Sequence, residues 1–195
     1  MNNVAIYSFS FNNPERVRRM NHRFETVGYP IHWVAPVLTT DPRVPPTVPE
    51  RRTHAIMLNH LDMLHEFLSS SATYGIFCED DIYIRRDFDT LLRHAIVSYE
   101  TLNLDVMLLG YLMTYVPYKP QVSADHTLLA APLAVLSYDD SLWGSQMYLV
   151  NKVAARKLLA TFSDHTTLPM PFSPDWTITK FGKRAIVYPM LAVEE

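Results

Sequence analysis

The chain has 195 residues, of which 48% are hydrophobic and 19% are charged, a length and balance typical of one globular domain. The formal net charge of −3 argues against a broad electrostatic surface for nucleic acid. Cys78 is the only cysteine, which excludes an intramolecular disulfide and a cysteine-rich zinc site. We expect Cys78 to be a small core residue late in a strand.

Two features of the chain bear on its location. The N-terminus has no basic segment followed by an apolar one, so we expect no secretory signal. The longest uncharged apolar stretch, residues 106–118, is interrupted by Gly110 and Pro117 and is too short to span a bilayer. We therefore expect a reducing, cytoplasmic compartment and no transmembrane segment. We expect residues 1–195 to form a single domain, which could also be one domain of a longer enzyme.

Apolar runs alternate with amphipathic segments along the chain, and this alternation predicts an α/β domain. Helices are expected from a cap at Asn13 to Gly28, over 53–70, from a cap at Asp87 to Tyr99, after a cap at Asn151, and in a short turn over 175–181. Strands are expected over residues 4–9, 31–36, 74–78, 105–110, 132–138, 146–150 and 185–189. The segments 39–50, 114–131 and 168–174 contain many proline or polar residues and are expected to be loops, with a loose hairpin as the alternative for 114–131.

An acidic triplet, Glu79-Asp80-Asp81, directly follows the predicted strand 74–78. Ligands of open α/β sheets bind beyond the carboxyl ends of strands, so this position favours a ligand site. Three adjacent carboxylates repel one another, and Mg²⁺ or Mn²⁺ would compensate their charge. The alternative is a solvated turn that is neutralised by Arg85 and Arg86, since short acidic clusters are common.

Four sequence blocks, in order, resemble glycosyltransferase family 25, which includes lipooligosaccharide and collagen galactosyltransferases. The third block carries the acidic triplet, and the fourth contains a small-residue turn, an aromatic strand and a helix. The blocks are VAIYSFSFNNPERVRRM, HAIMLNHLDMLHEFL, YGIFCEDDIYIRRDF and WGSQMYLVNKVAARKLL. The resemblance implies a single GT-A-type, Rossmann-like domain with a central, mostly parallel mixed sheet flanked by helices. It also implies transfer of a hexose, galactose or glucose, from a nucleotide-sugar donor to a glycan or glycoprotein hydroxyl, with inversion.

The resemblance also implies roles for residues of these blocks. Asp81 and Glu79 would bind the metal, Mn²⁺ or Mg²⁺, which would stabilise the departing nucleoside diphosphate. The donor, usually a UDP-sugar, would be bound by residues at the ends of strands and on nearby helices. These donor-binding candidates are Ser8, Arg16, His60, Glu79 and Asp80.

An inverting displacement also needs a general base on the acceptor hydroxyl. Our candidate is Asp175, which follows a proline-rich loop, and its alternative role is to cap the helical turn at Trp176. Asp139 and Asp140 are reserve candidates in a turn that could equally be solvated. Trp143 and Trp176 could stack on acceptor sugar rings, because aromatic side chains combine apolar area with polar edges.

Two other functions are compatible with the same residues. A metal-dependent phosphohydrolase or nucleotidyltransferase could use the same carboxylates. Alternatively, the chain could be a sugar-nucleotide-binding domain that has lost catalysis, because a fold does not fix a function.

Overall fold

The computed structural model describes residues 3–112, 133–164 and 172–195. Nine strands and five helices are described in these ranges. The strands are β1 (Val4–Phe9), β2 (Ile31–Val34), β3 (Tyr74–Cys78), β4 (Ile82–Ile84), β5 (Val106–Leu112), β6 (Ala134–Leu136), β7 (Trp143–Asn151), β8 (Arg184–Tyr188) and β9 (Ala192–Glu194). The helices are α1 (Pro14–Thr26), α2 (Arg51–Ser69), α3 (Phe88–Thr101), α4 (Lys152–Phe162) and α5 (Pro174–Thr177).

Seven strands form one mixed sheet in the order β2-β1-β3-β7-β5-β8-β6. Strands β1, β2, β3, β5 and β8 run in one direction, while β6 and β7 run in the other. The predicted α/β class and mostly parallel mixed sheet are confirmed. Because β7 lies between β3 and β5 and is antiparallel to both, its first residues meet the carboxyl ends of its neighbours.

Helices cover both faces of the sheet, so both faces are buried. Consecutive side chains of a strand point to opposite faces and therefore join different core clusters. Tyr7 and Phe77 pack on one face against α2 and α4. Ile6 and Ile76 pack on the other face against α1 and α3. Cys78 belongs to this second cluster and is fully buried, as expected of a core residue.

Local side-chain bonds explain where two of the helices begin. Asn13 Oδ1 accepts a hydrogen bond from the Arg16 amide and Asn151 Oδ1 from the Ala154 amide, so both predicted caps are confirmed. Asp87 makes no side-chain cap bond, since its carboxylate pairs with Arg85 instead. Asp87 nevertheless occupies the predicted N-cap position, because α3 begins at the next residue.

The sequence pattern missed the small sheet of β4 and β9, which pair antiparallel. Both strands have only three residues, too few to show a period. The expected strands 132–138 and 146–150 are β6 and β7, but β5 and β8 lie between them in the sheet. The segment 114–131 and most of 168–174, both expected to be loops, lie outside the described residues.

Candidate active site

The candidate site lies at the edge of the sheet where the carboxyl ends of β1 and β3 meet the start of β7. The Glu79 amide donates to the Gln146 carbonyl oxygen at 3.1 Å, which extends the β3–β7 pairing into the acidic triplet. Ser10, just beyond β1, donates its hydroxyl to Asp80 Oδ2. The Glu195 amide, just beyond β9, donates to the Asp81 carbonyl oxygen at 2.7 Å. Three segments that are distant from the triplet in sequence therefore hold it.

Arg16 pairs with two of the three carboxylates. Its Nη1 atom lies 2.9 Å from Asp80 Oδ1 and 3.0 Å from Asp81 Oδ2. Arg16 comes from the first turns of α1, which the Asn13 cap places beside the end of β1. Arg85, which the sequence offered as a neutralising partner, pairs with Asp87 instead. The triplet is therefore held by contacts from distant segments, and Arg85 is not its neutralising partner.

Glu79 is the carboxylate that lacks such compensation. Burial, followed by the negative charge of Asp175, raises the pKa of Glu79 to about 8. Asp81 and Glu194 add to the shift. The raised pKa favours the protonated form of Glu79, and a cation or a hydrogen-bond donor placed beside it would favour the carboxylate instead.

Asp175 lies on α5, close enough to this cluster for its charge to act on Glu79. Its Oδ1 atom accepts from the Ser145 amide at 2.8 Å and from Ser145 Oγ at 2.9 Å. Within the described residues, no donor bonds to Oδ2. Pro174 at the first position of α5 fixes the helix start, and α5 packs on β7. One carboxylate oxygen is thus anchored while the other can accept a proton.

His60 and Ser8 lie below this edge, within the core. His60 is fully buried, and its Nδ1 lies 2.9 Å from the Tyr148 hydroxyl. Burial lowers the pKa of His60 to about 3, so the ring is neutral. Ser8 is also fully buried. The geometry gives both residues core positions, and their predicted donor contacts stay predictions.

The aromatic candidates are exposed. Trp143, at the start of β7, is 40% exposed, and Trp176, next to Asp175, is 44% exposed. Lys180 Nζ lies 3.8 Å from the centroid of the Trp176 ring, which is a cation–π contact. Trp143 lies two residues before Ser145, and Trp176 follows Asp175, which Ser145 binds. These positions are compatible with an acceptor surface, and this role also stays a prediction.

The reserve candidates are both occupied with structural contacts. Asp139 accepts from the Ser141 amide at 2.8 Å, which closes its own turn. Asp140 pairs with Arg184, and its backbone carbonyl accepts from Lys180. We therefore keep Asp175 as the candidate base.

A divalent cation fits one part of the site. Asp81 Oδ1 is buried and has no hydrogen-bond partner, and an unpaired carboxylate oxygen is the type of ligand that Mg²⁺ and Mn²⁺ prefer. Over residues 3–112, 133–164 and 172–195, no group of three or more His, Cys, Asp or Glu side chains is placed to hold a metal. A cation at Asp81 would thus take most of its ligands from phosphate and water.

An open cleft of about 350 Å³ lies beside this edge and is lined by Phe11, Leu38, Thr39, Thr40 and Arg52. Phe11 follows β1, whereas Leu38 to Thr40 follow β2, so the cleft lies beyond the carboxyl ends of two parallel strands. This is where ligands of open α/β sheets bind.

The fold has a counterpart among solved structures. A glycosyltransferase involved in the glycosylation of the major capsid of PBCV-1 overlays with a TM-score of 0.57 and 12% sequence identity, over 98% of this chain and 91% of that chain. The chain shares the fold of a glycosyltransferase. At this identity the likeness concerns the fold alone.

Two further structures are more distant. A197 from STIV has a TM-score of 0.48 and 10% identity, over 94% of this chain and 80% of that one. TarS 1-349 of S. aureus has a TM-score of 0.48 and 11% identity, over 98% of this chain and 60% of that one.

In sequence, no family model and no curated protein matches the chain, so the resemblance to family 25 stays a prediction. In the part of the chain that the structure describes, no helix is long and apolar enough to cross a membrane.

The sequence did not single out Ser10, Ser145, Gln146 or Glu194 as site residues. Ser145 stands in the fourth block quoted above, but only the direction of β7 reveals that this serine meets Asp175. Glu194 reaches the site because β9 pairs with β4.

Proposed function

We propose that this chain is a glycosyltransferase of GT-A type that moves a hexose, galactose or glucose, from a UDP-sugar to a glycan or protein hydroxyl. The observation that carries the proposal is the meeting of two carboxylates from separate elements, Glu79 after β3 and Asp175 on α5. They are close enough for the charge of Asp175 to raise the pKa of Glu79. Carboxylates with different environments at one site commonly take different chemical roles.

The donor would lie along the edge of the sheet. We place its nucleoside in the cleft beside Phe11 and Arg52, since an aromatic ring and a guanidinium both stack on bases. Its diphosphate would then extend towards Arg16 and Asp81. Arg16 already lies beside the triplet and offers further N–H groups to phosphate oxygens.

Mn²⁺ or Mg²⁺ would be held by Asp81 and, once deprotonated, by Glu79, with Asp80 fixing Arg16 and contacting the donor. When bound, the cation would supply charge stabilisation to the leaving diphosphate. The unpartnered, buried Asp81 Oδ1 supports this assignment.

Asp175 would act as the general base. An acceptor hydroxyl beside Oδ2 would attack the anomeric carbon as the bond to the diphosphate breaks. The UDP leaves with that electron pair, the hydroxyl proton passes to Asp175, and the configuration inverts. Trp143 and Trp176 would bind the acceptor ring, because their exposed faces lie near the base.

The test is an assay of UDP release from a panel of nucleotide sugars with Mn²⁺. We expect release from UDP-galactose or UDP-glucose with transfer to a sugar acceptor, and its loss in Asp81→Ala. The matched control is Asp62→Ala, a carboxylate on α2 that pairs with Arg43 away from the triplet. Absence of nucleotide binding with and without metal would overturn the proposal, and phosphate release without sugar transfer would favour the phosphohydrolase alternative.

A further inference from the structure

Gln146 is the site residue whose side chain lacks a role in the contacts described so far. The residue is 5% exposed, and its Oε1 atom is buried without a hydrogen-bond partner. Its backbone carbonyl bonds to the Glu79 amide, so Gln146 is the cross-strand neighbour of the first carboxylate of the triplet. Buried polar atoms are normally hydrogen-bonded, and an unpaired one destabilises the protein.

The direction of this side chain is defined by Gly144. A β-carbon built on Gly144 would lie 2.7 Å from Gln146 Oε1, so the amide oxygen lies against the bare Cα of that glycine. Gly144 follows the exposed Trp143 at the start of β7. The Gln146 backbone lies opposite Glu79, and its amide oxygen points along β7 towards the first residue of the strand, Trp143. Ser145, the residue in between, holds Asp175.

We propose that Gln146 is a specificity-determining residue whose Oε1 accepts a hydrogen bond from one hydroxyl of a sugar bound between Asp175 and Trp143. This inference rests on the proposed function, and it specifies which atom recognises the sugar. The unpaired acceptor makes the unliganded protein less stable, and the sugar hydroxyl supplies the missing donor. A site with a buried polar group of this kind rejects an analogue without the hydroxyl more strongly than an apolar pocket does.

The decisive variant is Gln146→Met, which keeps the length of the side chain and removes the acceptor. We expect kcat/KM for the UDP-sugar reaction to fall about 10- to 100-fold, while the Tm of the unliganded protein stays equal or rises. The contrasting variant is Tyr148→Phe, which removes a buried hydroxyl that does have a partner, His60 Nδ1 at 2.9 Å, and should lower the Tm. If Gln146 served only to bind a structural water, Gln146→Met would lower the Tm as well, and the inference would be overturned.

Deoxy sugars identify the hydroxyl and its source. We expect one deoxy analogue, tested as UDP-hexose or as methyl hexoside acceptor, to react poorly with the wild type, and Gln146→Met to treat it like the parent sugar. A fall in both donor hydrolysis and transfer would assign the hydroxyl to the donor, and a fall in transfer alone would assign it to the acceptor. Equal rates for Gln146→Met and wild type would overturn this inference alone. No UDP release by the wild type would overturn the proposed function and the inference together.

Discussion

At the scale of single residues, a substitution of Asp175 can distinguish binding of the donor from transfer of the sugar. Asp175→Asn keeps the size of the side chain and an oxygen that can accept from Ser145, but it removes the basic carboxylate. We expect UDP-sugar transfer to fall about 10²- to 10⁴-fold while donor affinity is retained. Nucleotide-release kinetics and calorimetric titration of the donor measure the two effects. Retained transfer would move the role of base to Asp139 or Asp140.

If a cation binds at Asp81 as proposed, Arg16 would compete with it for that carboxylate. Arg16→Met should raise the affinity for Mn²⁺ without nucleotide by about 10-fold, because the positive charge beside Asp80 and Asp81 is removed. Arg18→Met is the control, since Arg18 pairs with Glu15 on the exposed side of α1. Calorimetric titration with MnCl₂ gives both affinities. Equal affinities of the two variants would contradict a cation site at Asp81.

His60 links stability to pH. Its folded pKa of about 3 lies below its usual value near 6.5, so the unfolded chain binds the proton more tightly between these values. The free energy of unfolding therefore keeps its full value above pH 6.5 as far as His60 is concerned. It falls as the pH is lowered towards the folded pKa, by about 2 kcal/mol at pH 5. Urea unfolding at pH 7.5 and pH 5 should show that His60→Gln loses less free energy of unfolding between the two pH values than the wild type does. A similar loss in both proteins would mean that His60 is accessible to protons in the folded state.

At the scale of elements, the start of β7 depends on a glycine. Gly144 has a φ of +103°, and a β-carbon there would lie 2.4 Å from the Leu112 amide nitrogen. Gly28 also has a positive φ, of +83°, but open space around it. We expect Gly28→Ala to lower the free energy of unfolding by about 1 kcal/mol and Gly144→Ala by at least about 2 kcal/mol more, since β5 must move. Urea unfolding compares the two, and equal losses would contradict this account of β7.

The pairing of β4 with β9 is the other element that shapes the site. Arg23 binds both the Ile82 carbonyl oxygen and Glu195, and it stacks on Tyr83 at 4.1 Å from the ring centroid. These contacts attach the small sheet to α1. The backbone of Asp81 is held by the Glu195 amide, and the next residue, Ile82, is held by Arg23. These bonds limit the movement of the Asp81 carboxylate.

At the scale of the whole molecule, a ligand that binds only the folded protein must stabilise it. If UDP and Mn²⁺ bind together as proposed, at 100 times their dissociation constant they add about 2.7 kcal/mol to the free energy of unfolding. For a domain of this size that corresponds to a rise in Tm of about 5–10 °C. Thermal unfolding with UDP, Mn²⁺ or both measures it. A cooperative rise that is absent in Asp81→Ala supports a joint site, whereas purely additive shifts would place the two ligands apart.

The sequence by itself predicted the α/β class, most helices and strands, and the position of the acidic triplet at the end of β3. These follow from local properties, namely hydrophobic period, capping side chains and proline. It could not predict the partners of the triplet. Arg16 and Asp80 are 64 positions apart, and Ser145 and Asp175 are 30 apart, and a local pattern does not report such distances.

The tertiary structure decided which chain segments share the edge of the sheet. A period of two residues identifies β7 as a strand, but it gives neither the direction of the strand nor its neighbours. Placing β7 antiparallel between β3 and β5 brings Ser145 and Gln146 beside Glu79 and allows α5 to present Asp175. The burial of His60 was likewise decided by packing, because the same helical spacing is compatible with a ligand contact or with a bond to Tyr148.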